Sequence, residues 1–135
     1  MENLTPHRVE FGDNTISLKY SVLWTPTLLI LDGKGREFQR QVGVEEPEEL
    51  IPALMLGIVK VHLGGHDYDS AGLLLDRLLD QFPQSHAAPE AEFFRGVCGY
   101  KANKDGGELK NAYDKLQKRY AESVWAKRAT AYKDL

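Results

Sequence analysis

The chain has 135 residues, 42% hydrophobic and 27% charged, with a formal net charge of −3. That is enough apolar material for one ordinary core or two small ones, and it excludes an extensively disordered polymer. No apolar run approaches the roughly 20 residues needed to cross a bilayer, and Met1-Glu2-Asn3-Leu4-Thr5-Pro6-His7 lacks the apolar region of a signal peptide.

The charge is unevenly spread: residues 1–52 carry nine acids and five bases, and residues 101–135 carry nine bases and five acids. A basic excess over a helical tail reads as a solvated face, so neither nucleic acid nor a membrane is expected as a partner. The single cysteine, Cys98, permits no internal disulfide, which leans the compartment towards the cytoplasm without fixing it.

In chain order, Arg8-Val9-Glu10-Phe11 alternates polar and apolar residues ahead of Gly12-Asp13-Asn14, which predicts a short strand closed by a turn. Asp13 or Asn14 is placed to cap a helix in which Ile16 and Tyr20 share a face. Trp24-Thr25-Pro26 forces a break, because the residue before a proline is pushed out of the helical region. Thr27 to Leu31 is a continuous apolar run, expected as a strand covered on both faces. Asp32-Gly33-Lys34-Gly35 supplies a turn with glycines where φ is positive, and residues 36–42 return as an edge strand, closing an antiparallel hairpin.

Pro47, with Glu45, Glu46, Glu48 and Glu49 around it, predicts a helix start. From there Ile51, Leu54, Met55, Ile58, Val59 and His62 form an amphipathic stripe. Pro52 is expected to bend or restart this helix and to mark the joint between two modules, 1–52 and 53–135. Further helices are predicted over residues 68–82, 87–103, 108–120 and 123–133.

Laid on itself at an offset of 38, the second module repeats. Asp76, Arg77, Leu78, Phe82, Ser85, Ala88, Ala91 and Phe94 meet Asp114, Lys115, Leu116, Tyr120, Ser123, Ala126, Ala129 and Tyr132. Amphipathic helices of this kind bury their faces only by stacking, with the last one as a cap.

Two resemblances attach to these residues. The stretch from Tyr20-Ser21-Val22 through Trp24-Thr25-Pro26-Thr27, the apolar strand, the turn and Arg40-Gln41-Val42-Gly43-Val44 resembles the second half of a thioredoxin fold, over about residues 8–56. Gly65-x-x-Tyr68-x-x-Ala71 and Phe82-Pro83-x-Ser85 resemble tetratricopeptide repeats over about residues 53–135, with Leu109 and Ala121 departing from the pattern in the second unit. The implied fold is α/β plus all-α: a partial thioredoxin-like sheet with an antiparallel hairpin, joined to a tetratricopeptide-like helical array.

The thioredoxin resemblance implies a cis-proline at Pro26 and a peptide-binding surface at Trp24, Thr25 and Pro26. The alternative is that the loop only shapes a turn and Trp24 packs inward. The central strand that the thioredoxin sheet places between residues 8–11 and 27–31 is missing, which implies repair by strand addition, for instance in a homodimer, or a rearranged sheet. The repeat resemblance implies a groove with His62, Arg95 and Tyr100 as lining residues.

Thiol-disulfide chemistry needs an exposed thiolate and a resolving partner, and no Cys-x-x-Cys exists. Cys98 is expected as a small buried packing residue, and no catalytic residue or cofactor is assigned. His62 and His66, with Asp67 and Asp69 nearby, have metal-like spacing, but Gly64-Gly65 between them is a helix stop, so no metal site is expected. Ser85 and Ser123 are expected to cap the helices that follow them. The expected function is protein–protein interaction without catalysis. The alternatives are a C-terminal fragment of a longer thioredoxin-like oxidoreductase whose cysteine pair lies upstream, and a homo-oligomerisation module.

Overall fold

The computed structural model describes residues 4–10 and 14–135. Over these residues the chain is mixed α/β, mostly helical, with one two-stranded antiparallel sheet. It divides into two compact units, residues 1–45 and 46–135. The division therefore falls ahead of the long helix instead of inside it at residue 52.

In the first unit, α1 (Asn14–Lys19) precedes the hairpin of β1 (Thr27–Leu31) and β2 (Glu37–Val42). Thr27 pairs with Val42, Leu28 with Gln41, Leu29 with Arg40 and Ile30 with Gln39, before a register shift after Ile30. The turn is built by Asp32, whose Oδ1 accepts from the backbone N–H groups of Lys34 and Arg36, both at 2.9 Å, while Arg36 Nε donates to Oδ2 at 2.6 Å. The backbone N–H of Arg36, and then its guanidinium, hold the Asp32 carboxyl below its ordinary range. Gly35 supplies the positive φ of 77°, and its carbonyl accepts from the Tyr20 hydroxyl at 2.9 Å.

Arg40 ties the end of α1 to β2. Its guanidinium donates to the carbonyls of Tyr20 and Ser21 and pairs with Glu37, so a cation sits at the negative end of the helix. The strand expected over residues 8–11 does not form at Arg8–Glu10, whose residues are exposed and irregular, and Phe11 lies outside the described residues. Four alternating residues without a partner strand offer the backbone nothing to bond. Asp13, expected as a cap, also lies outside them. Nor is β1 fully covered: on the face that Leu28 and Ile30 share, Ile30 is buried but Leu28 is 38% exposed.

In the second unit, α2 (Pro47–Gly64), α3 (Tyr68–Gln81), α4 (Ala88–Asn103), α5 (Gly106–Arg119) and α6 (Val124–Arg128) are followed by a 3-10 helix at Ala129–Tyr132. Consecutive helices from α2 to α5 pack on one another, and α4 also touches both α2 and α6. One core joins Met55, Leu56, Val59, Ala71, Leu75, Leu78, Ala91 and Cys98, and a second joins Leu116, Ala126 and Ala129 with Phe93, Tyr113, Trp125 and Tyr132 around them. Helix α2 runs unbroken through Pro52, which is buried. Pro52 is the sixth residue of α2, so it forgoes the bond that an N–H there would make to the Glu48 carbonyl, and the helix continues past that one lost bond.

The 38-residue equivalence extends to the backbone. Asp67 caps α3 by accepting from Ser70 N, and Asp105 caps α5 by accepting from Gly107 N. Phe82 closes α3 with φ −130° and ψ 52°, donating to the Leu78 carbonyl, and Tyr120 closes α5 with φ −135° and ψ 39°, donating to the Leu116 carbonyl. Leu78 and Leu116, Ala88 and Ala126, and Ala91 and Ala129 are all fully buried. Ser123 caps α6 as expected, accepting from Ala126 N. Ser85 does not cap α4: that helix begins three residues later, and the Ser85 hydroxyl instead donates to the Phe82 carbonyl at 2.8 Å. The last predicted helix, 123–133, is instead a short α-helix continued as 3-10.

Candidate functional site

Among the described residues, each unit presents one surface of interest. In the first, the segment entering β1 holds Leu23 at 76% and Trp24 at 72% exposure, followed by the cis Thr25–Pro26 peptide bond. The loop is fixed locally: Thr27 Oγ1 donates to the Trp24 carbonyl at 2.6 Å, and Gly43 N donates to the Pro26 carbonyl at 2.9 Å. Val44, next to Gly43, is 86% exposed. Trp24 does not pack inward, contrary to that part of the alternative. A fixed loop that leaves an indole and a leucine in water presents apolar surface with little to lose in ordering.

In the second unit, α3, α4 and α5 enclose a cleft of about 320 Å³. Its walls are Asp76, Leu79 and Asp80 from α3, Glu92, Arg95 and Gly96 from α4, and Glu108, Asn111, Ala112, Lys115 and Arg119 from α5. Glycine lets the walls approach: a Cβ on Gly96 would lie 2.5 Å from the Ala112 Cβ. Arg95 Nε binds Asp76 Oδ1 across α3 and α4, and this hydrogen bond raises the Arg95 pKa. Glu92 lies at the base, its side chain 4% exposed and 3.7 Å from Lys115 Nζ. Burial raises the Glu92 pKa against the opposing pull of Lys115, Arg119 and Arg95.

Of the three residues expected to line one groove, only Arg95 lies in this cleft. His62 is in the last turn of α2 with Nδ1 3.4 Å from Asp67 Oδ2, and Tyr100 stands farther along α4 with Lys104 Nζ 5.8 Å from its ring centre. His62 and His66 do not converge: Gly65 closes α2, His66 takes φ 60°, and its Nδ1 meets the Tyr68 hydroxyl at 2.9 Å. Cys98 is buried, and desolvation pushes its thiol up to about 11. The cleft's acids and bases were not singled out from the sequence. The available signal was a polar stripe on α5, where Glu108, Asn111, Lys115 and Arg119 recur at helical spacing. No family model, curated protein or solved structure matches the chain.

Proposed function

We propose that the chain is a non-catalytic protein–protein interaction module, in which a thioredoxin-like hairpin with its proline loop precedes a tetratricopeptide-like helical array. The observation that carries this reading is the solvent-held Leu23-Trp24 pair on a hydrogen-bonded loop. Tryptophan contributes more binding energy per residue than most side chains when a partner covers it. The matched caps and core positions of α3 and α5 support the repeat reading, and the buried, protonated Cys98 supports assigning no thiol chemistry to this chain. The preferred partner is an extended peptide with apolar side chains to cover the indole.

The test is selection from a displayed random-peptide library on the full chain, followed by titration of a synthetic enriched peptide. Trp24→Ala is expected to weaken binding at least tenfold, about 1.4 kcal/mol, while leaving the thermal midpoint unchanged. An enriched peptide that binds Trp24→Ala as tightly as the parent chain removes the loop from the reading.

A further inference from the structure

The register of the hairpin decides which backbone groups of β1 are used. Pro26 accepts from Gly43, and Asp32 N donates to the Arg36 carbonyl beyond the register shift, so the even-numbered residues of β1 face β2. The N–H and C=O groups of Thr27, Leu29 and Leu31 therefore point away from β2. No hydrogen bond from them to another described residue is found.

The two outer edges differ in chemistry. Along β2 the charges of Glu37 and Arg40 discourage pairing, as charged edges do. Along β1 the sequence is Thr27-Leu28-Leu29-Ile30-Leu31, with no charge and no proline inside it. Such an edge is complementary to itself. Antiparallel pairing centred on Leu29 sets Leu29 against Leu29, Thr27 against Leu31 and Leu28 against Ile30, with no like charges opposed. Because outward-facing residues meet outward-facing residues in this register, each such pair exchanges both of its bonds, roughly six in all. Leu28, 38% exposed on β1 itself, is the apolar side chain that Ile30 of a paired copy would adjoin.

We propose that the outer edge of β1 is a self-association site, at which two copies of this chain join their hairpins into a four-stranded sheet about a two-fold axis at Leu29. The contact is isologous and closes at two copies. It does not depend on the proline-loop reading, which Trp24→Ala tests separately.

The experiment uses the full chain and two proline variants. Leu29→Pro removes an N–H directed away from β2 and keeps Leu28 in the extended region it already occupies, so the hairpin survives while the edge is blocked. Val42→Pro does the same on the opposite edge. Light scattering across a concentration series should show a dimer for the parent chain and for Val42→Pro, and half that mass for Leu29→Pro at every concentration. In the parent chain, amide hydrogen exchange at Thr27 and Leu29 should slow at least tenfold from dilute to concentrated solution. That readout decides the matter by itself if Leu29→Pro fails to fold. A parent chain that stays monomeric, or a dimer in which those two amides exchange as in dilute solution, overturns the proposal.

Discussion

Glu92 is a residue whose chemistry departs from what its type suggests. A glutamate on a helix is ordinarily solvated, yet this one is 3% exposed, and burial raises its pKa from 4.5. The folded chain then binds its proton at higher pH than the unfolded chain does. Within that window, upward from 4.5, the folded state holds more protons, so stability declines as pH rises. Glu92→Gln should flatten this slope, as urea unfolding from about pH 4 to about pH 7 would show. Equal slopes for parent and variant would mean that the carboxyl ionises as readily folded as unfolded. Cys98 gives a second test at this scale. With its thiol held at about 11, it should resist a thiol reagent at neutral pH in the folded chain and react fully in denaturant. Rapid labelling without denaturant would contradict its burial. The sequence disclosed the Cys98 environment, because a lone cysteine among apolar helix positions packs as a small hydrophobe. It did not disclose Glu92, because helical spacing shows which residues share a face and not how deeply a neighbouring helix covers them.

Among the elements, the contact of α4 with α5 depends on two glycines that differ in what they face. An Ala at position 96 would set its Cβ 2.5 Å from the Ala112 Cβ and 3.1 Å from the Glu108 carbonyl oxygen, neither of which can move without its helix. At position 99 the nearest atoms are the Glu108 Cδ and Cγ at 2.7 and 2.8 Å, on a flexible side chain held by one long hydrogen bond, from Asn103 at 3.4 Å. Replacing a mid-helix glycine gains about 1 kcal/mol of helix propensity, and over-packing costs about 1–3 kcal/mol. Gly99→Ala should therefore lie near neutral and Gly96→Ala should destabilise, measured as shifts in the urea midpoint. An unchanged midpoint for Gly96→Ala would show that the two helices part freely.

The hairpin was legible at this scale, since an apolar run followed by Asp-Gly-Lys-Gly and a charged return strand has few other outcomes. So were α3, α4 and α5 to within two residues at each end. The strand at Arg8 was misread because alternation over four residues gives a pattern without a partner. Ser85 was misread because its equivalence to Ser123 holds in sequence but not in distance from the next helix. The cleft was illegible as a unit: each helix shows its own polar residues, and only packing makes three faces converge.

For the whole molecule, the two units differ in how much they bury. Among the described residues, Ile30 is the buried apolar side chain of residues 1–45, whereas residues 46–135 hold two connected cores. Stability should follow the same division. Limited trypsin digestion is expected to cut first at Lys19, Lys34 or Arg36 and, with a further cut at Arg40, to leave a helical fragment beginning at Gln41, identified by mass. Loss of both units at one rate would show that they unfold together.

The matched closures at Phe82 and Tyr120 have a consequence for how the chain can change in length. Because the backbone leaves α3 and α5 in nearly the same direction, a second copy of residues 83–120 spliced after Tyr120 meets the torsions it already has. Insertions of 38 residues should give a longer folded protein with added helical signal, and insertions of half that length should not. Growth of this chain is quantised.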